Sequence, residues 1–157
     1  MLEEKVKIKE EVDIFVRDAK TGKVKKIRLR PTRSSILHKL KKLLGLEHDS
    51  ITSYGYQQMA KLLGGISPAY MIDAMKAKFD TSWDVKTSGI SRSVITGGSG
   101  ATLIVDNSLN PFTQTGVDYT ELRCFNHSDS SNYHNAIGIQ IKISEGEWWA
   151  EVRFIFS

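Results

Sequence analysis

The segment that most constrains this chain is its last third, residues 100–157, where four apolar runs of strand length follow one another between polar turns. They span 101–105, 119–125, 136–143 and 148–156, and the residues between them are rich in Asn, Ser, Asp and Gly. Those side chains satisfy a turning backbone locally. In the run 148–156, Trp148, Ala150, Val152, Phe154 and Phe156 share one face, and Trp149, Glu151, Arg153 and Ile155 share the other. A strand that is apolar on one face and mixed on the other belongs in an antiparallel sheet covered on one side. Several in succession, the last closing the sequence, predict a β-sandwich.

Upstream, 12–18 and 23–30 are also strand-like, and the intervening Ala19-Lys-Thr-Gly22 ends in the glycine of a turn with a bulge, so the two form an antiparallel hairpin. Val24 is out of phase with Ile27 and Leu29, which predicts a bulge near Lys25 and Lys26. Pro31 ends the strand, and Ser34 or Ser35 opens an amphipathic basic helix over 36–44 with Ile36, Leu37, Leu40, Leu43 and Leu44 on one face. A second helix over 53–63 is opened by Thr52, stopped by Gly64-Gly65, and carries Tyr56, Met59, Ala60 and Leu63 at helical spacing. Residues 69–79 suit a helix by propensity and a strand by alternation; the strand is preferred, with Met71, Met75 and Phe79 facing inward. Residues 83–99 are expected to be irregular, with an edge strand around 91–95. The architecture expected is one domain over 1–157: a mainly β, jelly-roll-like antiparallel sandwich with an N-terminal hairpin, a helical insertion at 34–65 and a mobile arm at 1–10.

Charge is unevenly spread. Residues 1–50 hold 14 Lys and Arg against eight Asp and Glu, whereas the remainder holds eight against ten, and no acidic residue lies between Ala19 and Leu46. The lone cysteine, Cys124, sits in an apolar strand and is read as a buried, inert thiol; one thiol forms neither an intrachain disulfide nor a cysteine zinc site. No apolar run reaches membrane-spanning length and the first residues are too polar for a secretory signal, so no membrane partner is expected.

Two segments together resemble a known group. Residues 49–65, with Thr52, Gly55, Ala60, Leu62, Leu63 and Gly65 at its fixed positions, are similar to an "(I/V)-T-x-x-G-x-x-x-hydrophobic-A-x-L-L-x-G" segment of small structural proteins of tailed bacteriophages and archaeal viruses. Residues 120–126, Thr-Glu-Leu-Arg-Cys-Phe-Asn, resemble the "T-E-x-G-L-F-N" strand that follows in those proteins, with Arg123 and Cys124 departing from the pattern. The resemblance implies a β-sandwich virion subunit of a tail, collar, baseplate or capsid vertex, working as a homo-oligomer among other virion proteins and passing through the host cytoplasm before assembly. It implies no catalytic residue and no cofactor.

The residues themselves nominate two surfaces. For subunit contacts the candidates are Lys25, Lys26, Arg28, Arg30, Leu40 and Trp149: basic or aromatic groups on the hairpin, the first helix and the last strand. Lys25, Lys26, Arg28 and Arg30 would also suit phosphates, but no aromatic stacking platform accompanies that strand, so nucleic acid is the weaker partner. The loop 126–135 holds the candidates for a host-surface glycan or receptor, His127, Asp129, Tyr133 and His134. A metal on His127, Asp129 and His134, or a Ser-His-Asp nucleophilic set, is less favoured than a turn-forming loop, and Gly97-Gly-Ser-Gly100 lacks the Gly-Lys-Ser/Thr ending of a phosphate loop. The chain is therefore read as a non-enzymatic structural subunit, with a carbohydrate- or receptor-binding module as the alternative.

Overall fold

The computed structural model describes residues 8–29, 50–98 and 100–156. The first helix expected at 36–44, with Leu40, lies outside them, as do Arg30 and most of the expected N-terminal arm. Among the described residues nine strands make two antiparallel sheets: β1 Ile8–Arg17, β2 Val24–Leu29, β3 Ala74–Phe79, β4 Ser82–Lys86, β5 Ser91–Gly97, β6 Gly100–Asp106, β7 Asp118–Phe125, β8 Ile137–Lys142 and β9 Glu147–Phe156. Sheet A has the order β2-β1-β9-β6-β5 and sheet B the order β4-β3-β7-β8. The fold is an antiparallel β-sandwich opened by a hairpin. Its strands join as hairpins within a sheet, β1–β2 and β5–β6 in sheet A, β3–β4 and β7–β8 in sheet B.

The core lies between the sheets. Val12, Ile14, Val105, Trp148, Ala150, Val152 and Phe154 come from sheet A; Met75, Ala77, Leu122, Cys124, Ile139 and Ile141 come from sheet B. Alternation within each strand produces this division. Phe112 and Trp148 exchange backbone hydrogen bonds, with N···O distances of 2.8 and 3.0 Å, and their rings lie 4.5 Å apart, carrying segment 107–117 across the end of the sandwich. Tyr119 packs edge-on against Trp148 at 4.9 Å. Burial pushes the Cys124 thiol well above its ordinary range, which keeps it protonated.

Four expectations change. The β1–β2 register runs without interruption from Val12↔Leu29 to Arg17↔Val24, so no bulge forms at Lys25 and Lys26; Val24 instead projects from the outer face, exposed. Met71 precedes β3 and is exposed, so Met75 and Ala77 face the core without it. The edge strand expected around 91–95 forms as β5, but the stretch before it is not wholly irregular, because Ser82–Lys86 forms β4. β4 escapes its sequence pattern because it is inverted: Trp83 pairs with Lys78 and Val85 with Lys76 on the outer face, while Asp84 turns inward to accept the Tyr119 hydroxyl at 3.0 Å and meet Lys86 at 3.3 Å.

The fourth change concerns the helix α1, Ser53–Gly64. The Thr52 hydroxyl accepts from the Gly55 amide at 3.0 Å, and the last turn is closed by the Gly65 and Ile66 amides on Leu62 and Lys61. The buried face is Gly55 and Gln58, with Met59 packed against the core, while Tyr56 and Leu63 are exposed. Gln58 is held inward because its Oε1 accepts from the Tyr70 amide at 2.8 Å.

Candidate functional site

The loop 126–135 is a docking seat for α1 before it is anything else. A short turn of 3-10 helix, His127–Asp129, is capped by Asn126, whose Oδ1 accepts from the Ser128 amide at 2.9 Å. Thr52 donates its amide to the His134 carbonyl at 3.0 Å and its hydroxyl to the Tyr133 carbonyl at 2.5 Å; Tyr54 donates its hydroxyl to Asp129 at 2.5 Å. The two segments that carried the viral resemblance are thus joined through this loop, whose His134 amide donates to the Cys124 carbonyl at 2.8 Å. Asn135, fully buried, accepts from the Cys124 amide at 2.7 Å and fastens the far end of the loop to β7.

This geometry disperses the loop candidates. His134 is buried, its Nε2 donating to the Tyr70 carbonyl at 2.8 Å and its Nδ1 left with no partner. Burial drives its pKa below the ordinary histidine value, with the bond to the Tyr70 carbonyl working against that. His127 is exposed and hydrogen-bonds Asp73, and Asp129 is engaged by Tyr54 and Asn132. Among the described residues no group of three or more His, Cys, Asp or Glu is placed to share a metal ion. Tyr133 alone of the four turns to the outer face of sheet B, its ring 4.0 Å from the Arg123 guanidinium.

There it joins a patch that the sequence reading missed. Arg123 also lies over Trp83 at 4.6 Å; Lys76 lies over Trp83 at 4.7 Å and over Phe125 at 5.1 Å; Lys78 stands 5.9 Å from Trp83. Lys76 and Arg123 are register partners, as are Lys78 and Glu121, so four charged groups occupy two adjacent strands, three positive and one negative. Glu121 accepts from Arg123 Nε at 2.9 Å. Burial, and then the Arg123 charge, lower the Lys76 pKa. The signal was present as Lys76-Ala-Lys78 and Arg123-Cys-Phe125, cationic or aromatic groups alternating with core residues, but only the strand pairing brings them together.

On the outer face of sheet A, the subunit-contact candidates are largely engaged within the chain. Asp13, 1% exposed, is bonded by Arg153 at 2.6 Å, Arg28 at 3.2 Å and Lys26 at 3.5 Å. Burial alone would raise its carboxyl pKa, but the Arg153 and Arg28 hydrogen bonds outweigh it and hold the group below the usual range. Trp149, 9% exposed, stacks on Phe15 at 5.5 Å and carries Arg17 5.0 Å above its ring. Lys25 stands on the opposite face of β2, exposed.

The sheet edges differ in how they meet solvent. β2 carries Lys25, Lys26 and Arg28, and β8 carries Lys142 and a register shift against β7. β5 pairs with β6 without interruption and, among the described residues, has no strand on its other side. Val94 and Ile95 are 63% and 59% exposed. Its one charge, Arg92, is drawn away to the Ile72 carbonyl at 3.2 Å.

Among the described residues no helix is long and apolar enough to cross a membrane. Compared with protein-family models, curated proteins and solved structures, the chain matches none. Among the described residues, fold and surfaces together define an antiparallel β-sandwich with an uncovered β5 edge and a cationic, aromatic face on sheet B.

Proposed function

We propose that the chain is a structural subunit that assembles with copies of itself through β5, in a virion tail, collar, baseplate or vertex of the kind the sequence resemblance implies. The observation that carries the assembly is the bare edge. Natural sheets blunt their edges with charge, proline or bulges because a row of free N–H and C=O groups invites pairing. β5 presents apolar Val94 and Ile95 with no proline or bulge, and its one charge, Arg92, is turned to the Ile72 carbonyl. An antiparallel pairing of two copies about Val94 sets Ser93 against Ile95 and Arg92 against Thr96, so no like charges meet.

The test is oligomeric mass by light scattering for the wild type and for Val94→Lys, with circular dichroism to verify folding. An oligomer that the substitution dissolves is expected, and a monomeric wild type overturns the reading. Incorporation into particles, abolished by the same substitution, tests the virion role.

A second reading, a carbohydrate- or receptor-binding module, is favoured by Tyr133, Arg123 and Trp83 standing together on the outer face of sheet B.

A further inference from the structure

The patch on sheet B carries more chemistry than a solvated face needs. Lys76 is half-buried with its Nζ over two rings, and no oxygen among the described residues bonds to it. Arg123 spends Nε on Glu121, and among the described residues its remaining guanidinium N–H groups bond to no oxygen. Lys76 is held by the ring faces beneath it, and Arg123 by two ring faces and its ion pair with Glu121, which fixes their positions in advance of any ligand. Two like charges held side by side in register repel each other, and an anion bridging them relieves that repulsion.

We infer that this face binds an acidic saccharide, a sugar carrying a carboxylate or sulfate, with the acid group bridging Lys76 and Arg123. The inference rests on the second reading above and names its ligand class. Lys78 stands one inward-facing residue further along β3, about 7 Å away along the strand, within reach of a neighbouring ring substituent. Glu121 is a hydrogen-bond acceptor for sugar hydroxyls, and Gln140 on β8, exposed, adds both donor and acceptor. Mixed donors and acceptors around one anion suit a polyhydroxylated acid.

A nucleic-acid strand fits less well. The faces of Trp83 and Tyr133 are covered by cations, so bases find no free platform, and Glu121 repels a run of phosphates.

Calorimetric titration of the full-length protein with sialyllactose and trigalacturonate, against lactose and maltotriose, and against a short oligodeoxythymidine, tests this. Expected is binding of an acidic sugar, weakened about tenfold by either Lys76→Gln or Arg123→Gln and unchanged by Lys23→Gln on the distant hairpin. Lys76→Gln and Arg123→Gln remove charge at separate points, so a folding defect in one leaves the other informative. Equal binding of the neutral sugars overturns the acidic class while leaving the receptor reading intact. Preference for the oligonucleotide overturns it in favour of nucleic acid, and no binding by any probe overturns both readings.

Discussion

Gly55 of α1 lies directly against the backbone of His134: a β-carbon at position 55 would overlap the His134 carbonyl oxygen and come within 3.0 Å of its carbon. The helix and the loop that closes β7 therefore meet backbone to backbone. In an unconstrained helix interior, Gly→Ala gains about 1 kcal/mol. Here the sign reverses, and Gly55→Ala is expected to cost about 2 kcal/mol, because the neighbouring atoms are main chain and cannot swing aside. Urea denaturation of the two proteins checks it; a stabilised variant would show that the helix is not seated as described.

Asn135→Ala is expected to cost about 2 kcal/mol by leaving the buried Cys124 amide without its acceptor. The distinctive reading is hydrogen exchange at the Cys124 amide, which should lose protection before its neighbours in β7. Uniform loss along the strand would mean global destabilisation only.

Removing Asp13 leaves Arg153, Arg28 and Lys26 around an empty centre, and Asp13→Ala is expected to cost about 3 kcal/mol. Its carboxyl lies below the ordinary 3.8 in the folded protein, so its stabilisation is complete above that value and is lost as pH falls through the lower folded one. Acid unfolding curves of wild type and Asp13→Asn should differ in steepness below about pH 4. Parallel curves would count against the pairing.

His134 works in the other direction. Its folded pKa lies below the ordinary 6.5, so the unfolded chain takes up a proton first as pH drops, and stability falls from about pH 6.5 down to the folded value. The slope is at most about 1.4 kcal/mol per pH unit for one such group. An NMR titration midpoint below 6.5 agrees, and a His134→Gln variant should lose that part of the pH dependence. A midpoint above 6.5 in the folded protein would contradict the buried ring.

Trp149→Ala should cost about 3 kcal/mol through its stack with Phe15 and Arg17 while leaving oligomeric mass unchanged. Dissociation on that substitution would return Trp149 to the role of interface anchor.

The sequence was informative wherever a local signal decided the outcome. Strict alternation in 148–156 placed Trp148, Val152 and Phe154 in the core, and Thr52 with Gly65 bounded the helix. β4 was missed because Trp83 and Val85 point outward and Asp84 inward, the reverse of the usual burial, which Tyr119 makes tolerable from a distant strand. The loop candidates were judged by composition. Where each side chain went was decided by α1, whose hydroxyls at Thr52 and Tyr54 claimed the loop's acceptors. The cationic patch needed the pairing of Lys76 with Arg123, which no local pattern encodes.

β9 is hydrogen-bonded to β1 along Ile8–Arg17 on one side and to β6 along Ala101–Asp106 on the other. β1 and β6 share no ladder of their own, so sheet A exists as two detached hairpins until the latest of the nine strands comes between them. The contacts that complete it span nearly the whole described chain, a high contact order that places folding toward the slow, millisecond-to-second end of the range for small domains. Until then β1 and β6 each expose an unpaired flank, and the chain is most open to wrong strand partners in that interval.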